Sequence, residues 1–100
     1  VRNLIGANMS FRRQVFEQLG GFTTRLGRVA GRPLGCEETE LCIRIGREAP
    51  SRTILYDPAT TVHHKVPSER ATWRYFLSRC YSEGISKAEL SGSAIRSLLR

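Results

Sequence analysis

The sequence contains no long apolar run, only three cysteines and a single aspartate. Without a run of roughly 20 apolar residues, it predicts no membrane-spanning helix. The cysteines Cys36, Cys42 and Cys80 are odd in number, widely spaced and without a Cys-x-x-Cys pair. They favour neither a disulfide framework nor a zinc site, and they are typical of a reducing compartment. Because Asp57 stands alone, the sequence also has no Asp-x-Asp metal motif.

The charge is strongly basic, with 16 Lys and Arg against 9 Asp and Glu and a net charge of +7. Such a surface attracts phosphate, whether in a nucleotide, a nucleic acid or a lipid headgroup, although a solvated basic face explains the same count. With 100 residues, one domain with one modest core is expected. The chain opens at Val1 directly on apolar, strand-like sequence, so we expect it to be a piece of a longer protein.

Four of the nine acidic residues lie between Glu37 and Glu48, directly after a turn at Gly35. The spacing of apolar residues predicts a helix over about Glu37–Ala49. Its predicted buried stripe is Leu41, Cys42, Ile45 and Ala49, and the residues predicted to pair on its outer face are Glu40, Arg44 and Glu48.

Glu37 and Glu38 belong to neither set. One interpretation is that they complement the positive end of the helix dipole, as acidic first turns commonly do. The other is that one carboxylate binds a substrate hydroxyl while its neighbour accepts the proton. The pattern alone leaves both open.

The remaining segments predict a mixture of short strands and helices. Strands are predicted at Leu4–Phe11, Thr53–Tyr56 and Thr60–His64. A first helix is predicted over about Phe11–Leu19, with Ser10 as its N-cap, Gly20-Gly21 as its stop and Phe22 folded back on its last turn.

The last third of the chain predicts a helix with Ser68 as its N-cap, broken or ended by Gly84. Weaker helical pieces follow at 86–90 and 94–99, and a turn-rich, arginine-rich loop is predicted over Thr23–Gly35. The apolar residues expected to pack the main helix into the core are Trp73, Phe76, Leu77, Cys80 and Tyr81.

The adjacent histidines His63 and His64 lie in a predicted strand, so their side chains point to opposite faces. One of them can face a site as a ligand for a metal or a phosphate oxygen. A partly buried histidine bonded to the backbone is the alternative.

Several of these stretches occur in a fixed order along the chain: Gly6-Ala7-Asn8-Met9-Ser10-Phe11-Arg12-Arg13, Gly20-Gly21-Phe22, Gly35 to Ile45, Ile54-Leu55-Tyr56-Asp57-Pro58 and Val62-His63-His64. Together they resemble the second half of family 2 glycosyltransferases, inverting enzymes with the GT-A fold that use nucleotide-sugar donors. The resemblance covers roughly Leu4 to Leu90. It implies an α/β class (α+β for an isolated fragment), with a partial GT-A fold of a few short strands and three or four helices. It also implies a single C-terminal domain over 1–100, with an acceptor-side catalytic part at about 1–66 and C-terminal helices at about 67–100.

The resemblance implies roles for individual residues. The second member of the acidic pair, Glu38, matches the catalytic base; the family more often has aspartate there, which leaves the choice between Glu38 and Glu37 open. His64 matches a metal-binding histidine better than His63 does. The residues implied to bind substrate are Gly6, Ala7, Asn8, Gly35 and Cys36.

The same resemblance implies a nucleotide-sugar donor, a saccharide or lipid-linked acceptor and a divalent metal, Mg²⁺ or Mn²⁺, in the full-length enzyme. The location it implies is cytoplasmic, with peripheral association at the inner face of the membrane as a further expectation. Because the donor-binding half and its Asp-x-Asp motif are absent from these 100 residues, we expect the chain alone to transfer no sugar.

Two other classes fit the composition. A nucleic-acid-binding module is suggested by the +7 charge and by the aromatic residues among the late arginines, but those aromatics are predicted to fall on a core face. A module that docks a membrane or a partner is suggested by the basic, partly amphipathic segment from Trp73 to Leu99.

Overall fold

The computed structural model describes residues 4–24, 26 and 35–98, with side chains described up to residue 92. This part of the chain contains three α-helices, α1 (Arg13–Leu19), α2 (Glu37–Glu48) and α3 (Trp73–Leu98), and a 3₁₀ turn at Ser68–Arg70. The chain divides into two compact units. Unit 1 comprises Val1–Thr23 and Glu37–His64, and unit 2 comprises Thr24–Cys36 and Lys65–Arg100.

The predicted α/β class, with its partial GT-A fold, is wrong: the described residues form helices and no strand. The predicted strands at Leu4–Phe11, Thr53–Tyr56 and Thr60–His64 are irregular backbone. A strand persists only where a neighbouring strand takes up its backbone hydrogen bonds and its apolar face is covered. The apolar side chains after α2 are not covered: Leu55 is 78% exposed and Tyr56 is 74% exposed.

The helix α2 forms almost where the apolar spacing predicts it. Leu41, Cys42 and Ile45 are buried, and Leu41 has no exposed surface at all. Val15 of α1 joins Leu41 and Ile45 in the core of unit 1, with Phe11, Phe16 and Leu19 packed against them. Burial of this stripe accounts for the helix, because a helix of 12 residues is marginal in water by itself.

The helix α1 begins two residues later than predicted. Arg12, not Ser10, is its N-cap, and no side chain caps it. Gly20 ends it as predicted, with φ 79°, a conformation that favours glycine. Phe22 folds back as predicted: its ring centroid lies 5.8 Å from that of Phe16 and 6.0 Å from that of Phe11.

The helix α3 differs from its prediction at both ends. Ser68 begins the 3₁₀ turn instead of capping the helix. The backbone N–H of Tyr75 instead donates to the Thr72 hydroxyl at 3.2 Å. Gly84 does not break α3, which continues to Leu98 through both segments predicted to be weak. Tertiary packing and neighbouring helix formers override a single glycine, which costs only about 1 kcal/mol.

The structure also contradicts the prediction that the apolar face of α3 packs into the core. Trp73, Phe76, Leu77 and Tyr81 are between 54% and 80% exposed, and Cys80 is exposed as well. Among the residues of α3 whose side chains are described, the buried ones are Ser82 and Ser86. The apolar spacing correctly predicted a helix with these residues on one face, but the prediction that this face is buried is wrong.

Candidate functional site

A tight turn in unit 1 brings the backbone of Gly6 to the start of α2. The N–H of Asn8 donates to the carbonyl of Ile5 at 2.9 Å, which closes the turn. The N–H of Gly6 then donates to Oε1 of Glu38 at 3.1 Å. The segment predicted to bind substrate therefore holds one carboxylate of the predicted catalytic pair.

Only glycine fits at position 6 with Glu38 in this place. A Cβ atom built on Gly6 would lie 2.5 Å from Oε1 of Glu38 and 3.4 Å from its Cδ. Real Cβ atoms do not approach oxygen so closely, and the carboxylate would have to move. The absence of a side chain at Gly6 thus sets the distance between backbone and carboxylate.

A second turn of unit 1 contacts the same segment. Asn8 donates from Nδ2 to the carbonyl of Thr60 at 3.1 Å. Asp57 organises that turn by accepting from the Thr60 hydroxyl at 2.8 Å and from the Ala59 N–H at 2.9 Å. The Thr60 hydroxyl, and after it the Ala59 amide, hold the pKa of Asp57 below its usual value. The Asp57-Pro58 turn signal was visible in the sequence, but nothing there indicated that Thr60 would meet Asn8.

Glu37 and Glu38 have different surroundings although they are neighbours. Oε2 of Glu37 is buried, and no described residue hydrogen-bonds to it. Glu38 is partly exposed, and its contact with Gly6 lies at the exposed side. The two carboxylates are therefore not interchangeable in access to a substrate.

Glu40 and Arg44 fasten α2 to the end of α1. Glu40 accepts from Arg44 at Oε1 (Nε, 2.9 Å) and Oε2 (Nη2, 2.6 Å), and the Thr23 hydroxyl donates to Oε2 at 3.0 Å. Arg44 also donates to the carbonyl of Leu19 and, at 2.9 Å, to that of Gly21. These are carbonyls that the end of α1 leaves without a helical partner.

This cluster changes the titration of both members. The hydrogen bonds from Arg44 lower the pKa of Glu40; partial burial opposes this shift, and the Thr23 hydroxyl adds to it. The hydrogen bond to Glu40 raises the pKa of Arg44. The predicted pairing of Glu40 with Arg44 is confirmed, but the pair lies against the end of α1 and not on an outer face. It fixes the helix that presents Glu38.

Two other predicted substrate-binding residues contact α3 within unit 2. The N–H of Gly35 donates to the hydroxyl of Ser86 at 3.1 Å. The thiol of Cys36 lies 3.7 Å from Oε1 of Glu83, and Cys36 has φ 74°, unusual for a residue with a side chain. These contacts give Gly35 and Cys36 a structural role in unit 2. Ala7 is exposed.

The predicted metal ligand His64 is exposed. No three His, Cys, Asp or Glu side chains within the described ranges are grouped so that they could hold a metal ion. The donor set around His64 therefore does not make a metal site by itself. The bulk of the arginine-rich loop Thr23–Gly35 lies outside the described residues.

A cavity of about 600 Å³ opens in unit 1, away from the acidic pair. Arg12 and Arg52 contribute to its wall beside the core residues Val15 and Ile45, and neither Glu37 nor Glu38 lines it. Arg52 donates to Oε1 of Gln18 at 2.9 Å. This cavity could not be predicted from the sequence, because its walls come from segments about 40 residues apart.

Comparison with known proteins connects the chain to sugar transfer. It is 34% identical over 87 residues to a glucosyl-dolichyl phosphate glucuronosyltransferase of Haloferax volcanii, across 87% of this chain and 28% of that protein. The chain thus spans little more than a quarter of the length of the curated relative it matches. No family model matches the chain, and no solved structure is similar to it. The chain is related to a glycosyltransferase enzyme.

Proposed function

We propose that this chain supplies the acceptor-activating base of a family 2, inverting glycosyltransferase, and that Glu38 is that base. The supporting observation is the hydrogen bond from the Gly6 N–H to Oε1 of Glu38. It links two segments on which the resemblance to these enzymes depends. The identity of 34% with a sugar-transferring enzyme supports the same reaction class.

The proposed step moves one proton and exchanges one glycosidic bond. Glu38 takes the proton of an acceptor hydroxyl while that oxygen attacks the anomeric carbon of a nucleotide sugar. The bond from that carbon to the diphosphate oxygen breaks, and the nucleoside diphosphate leaves with the electron pair. Attack from the side opposite the leaving group inverts the anomeric configuration.

The contact with Gly6 suits Glu38 to this role. A carboxylate has two oxygens, and binding Oε1 to a backbone N–H orients the group without consuming Oε2. In the proposed complex, Oε2 takes the proton from the hydroxyl group of the acceptor. A general base works best when its geometry is fixed before substrate arrives, because the ordering cost is then already met.

Glu38 is a better candidate than Glu37 on grounds of access. Both residues are half-buried, but Oε2 of Glu37 is buried, whereas the contact of Glu38 with Gly6 lies on the exposed side. A base must come within about 3 Å of the hydroxyl that it deprotonates. We assign Glu37 a supporting role in the first turn of α2.

The acceptor that we propose is a saccharide, free or carried on a lipid. The name of the Haloferax volcanii relative describes an enzyme that acts with a lipid-linked sugar, glucosyl-dolichyl phosphate. A divalent ion, Mg²⁺ or Mn²⁺, is the cofactor we expect in the complete enzyme, with His64 as one contributor. Its charge would offset that of the departing diphosphate.

The test uses a hybrid in which residues of this chain replace the matched 87-residue segment of the relative. Sugar transfer is measured for the hybrid and for Glu38→Gln and Glu37→Gln versions. We expect Glu38→Gln to lower the rate by about 10²-fold to 10⁴-fold, the usual contribution of a general base. Donor binding, measured separately by calorimetry, should be retained.

The matched control is Glu48→Gln, which removes an exposed carboxylate from the other end of the same helix. It should leave the rate within about twofold of the parent hybrid. Turnover that survives Glu38→Gln would remove Glu38 from the mechanism. A Glu37→Gln hybrid that loses more activity than the Glu38→Gln hybrid would transfer the role to Glu37.

A further inference from the structure

The helix α3 presents its apolar side to solvent and its serines to the interior of unit 2. With about 100° between successive residues, the apolar residues occupy an arc of about 140°, and Ser82 and Ser86 lie opposite the middle of that arc. Ser86 is 1% exposed, accepts from the Gly35 N–H at 3.1 Å and donates to the carbonyl of Ser82 at 3.0 Å. The residues of the outward face, here termed the apolar stripe, are Trp73, Phe76, Leu77, Cys80 and Tyr81.

The apolar stripe is unusually exposed for residues of its kind. Trp73 is 80% exposed, Leu77 64% and Tyr81 74%. The rings of Trp73 and Phe76 pack edge to face at 5.7 Å, so these two side chains form a continuous patch at the start of the stripe. Contiguous apolar patches on soluble proteins generally mark a surface that binds something apolar.

The net charge of the protein lies in the same unit as this stripe. Unit 2 carries ten of the sixteen Lys and Arg residues and three of the nine acidic residues, a net +7. Unit 1 carries six of each and is neutral. The apolar stripe therefore stands on a unit that attracts anions.

We propose that α3 docks on an anionic lipid surface, with the apolar stripe inserted among the headgroups and the described basic residues of unit 2, such as Arg74, near the lipid phosphates. This goes beyond sugar transfer and does not depend on it. Helices with an apolar face, aromatic residues and basic neighbours lie in the plane of a membrane interface. Trp and Tyr favour that depth, because their rings are apolar while their N–H and O–H groups still reach water. None of the described helices has the length and apolar character needed to cross a bilayer.

A lipid surface suits the stripe better than a nucleic acid does. Single-stranded nucleic acid binds by stacking bases on aromatic rings along a basic groove. Between Phe76 and Tyr81 along the helix, the stripe has Leu77 and Cys80, which have no ring on which a base could stack. A second copy of the chain would bring together two surfaces of the same positive charge, which opposes pairing.

Trp73 is the single tryptophan of the protein and reports on the stripe directly. The purified chain is titrated with vesicles of phosphatidylcholine alone and with vesicles that also contain phosphatidylglycerol. With the anionic vesicles we expect a blue shift of Trp73 emission, protection from a water-soluble quencher and co-sedimentation. Added salt should weaken all three, because the attraction of basic residues to the surface is screened.

Two variants test the surface while keeping the reporter. Phe76→Ser combined with Leu77→Ser should weaken binding at least about tenfold, since two exposed apolar side chains no longer insert. Arg74→Gln should weaken it about fivefold, the fold-change for one basic residue near an anionic membrane. Leu55→Ser, which removes a side chain 78% exposed in unit 1, is the matched control and should bind like the parent. Circular dichroism checks that α3 is intact in each variant.

Three results would overturn the proposal. One is equal binding to neutral and anionic vesicles, or binding that the double variant leaves unchanged. Another is a Trp73 response to single-stranded RNA that outcompetes the vesicles, which would make this a nucleic-acid surface. The third is a lipid-free, concentration-dependent blue shift that the double variant removes, which would mean that the stripe pairs copies of the chain.

Discussion

The N–H of Gly6 and the carboxylate of Glu38 form a hydrogen bond of 3.1 Å across 32 residues of sequence. The bond exists because position 6 has no Cβ, which would stand 2.5 Å from Oε1. The close contact at the start of α2 therefore depends on having glycine at position 6 and glutamate at position 38. The pair gives the proposed base a fixed direction.

Gly6→Ala should separate positioning from stability. The new methyl group meets the far end of a flexible side chain, which can move, so we expect the free energy of unfolding to change by less than about 1 kcal/mol. Transfer by the hybrid enzyme should fall, since the displaced carboxylate loses its orientation. Urea denaturation and transfer rates measure the two effects.

A shorter carboxylate provides the matched control. When position 38 is aspartate, the methyl group added by Gly6→Ala has more room. Gly6→Ala should therefore lower the activity of the Glu38→Asp variant less than it lowers the activity of the parent. A double-mutant cycle expresses this difference as a coupling. Purely additive effects would mean that Gly6 does not position Glu38.

Stability should depend on pH through Glu40. Its pKa is lowered in the folded state, chiefly by the hydrogen bonds from Arg44, so its contribution is present above the unfolded pKa and is lost as the pH falls through the folded pKa. Glu40→Gln should therefore cost about 1–2 kcal/mol of unfolding free energy at neutral pH. The difference from the parent should vanish once Glu40 is protonated in the folded protein.

Urea denaturation across the acid range checks this. Glu17→Gln, an exposed carboxylate on α1, is the control and should show no comparable difference at any pH. A Glu40→Gln variant that is as stable as the parent at neutral pH would show that the pair with Arg44 makes no net contribution to the free energy of unfolding.

The core of unit 1 should be most sensitive at Leu41. Its side chain is fully buried, and Leu41→Ala is expected to cost about 2–4 kcal/mol of unfolding free energy. Ile43→Ala, two residues away on the same helix and 38% exposed, should cost clearly less. Chemical denaturation of the two variants gives the comparison, and equal losses would contradict the assigned orientation of α2.

Features that depend only on neighbouring residues could be predicted from the sequence, and features that depend on distant residues could not. The range of α2 was predicted to within one residue, because its apolar spacing and its acidic first turn lie within the helix itself. Gly20 as the end of α1 is equally local. The strands failed because strand formation depends on partners elsewhere, which a run such as Thr53–Tyr56 cannot specify.

Features that depend on surroundings could not be predicted in the same way. The spacing of Trp73, Phe76 and Leu77 correctly indicated one helical face, but periodicity does not say which face is buried. The carbonyls that Arg44 binds, at Leu19 and Gly21, become acceptors only once α1 and α2 have packed. At the candidate site, the residue types of Glu38 and Asn8 were visible, but the bond from Gly6 was not.

The contacts that join the site also determine when it can form. Gly6 meets Glu38 across 32 residues, and Asn8 meets Thr60 across 52. Helices close their hydrogen bonds within about a microsecond, whereas contacts between distant segments must wait for long loops to close. During refolding, the turn at Gly6 should reach the carboxylate only as the long-range packing of unit 1 forms. The Glu38 geometry is therefore a late acquisition of the folding chain.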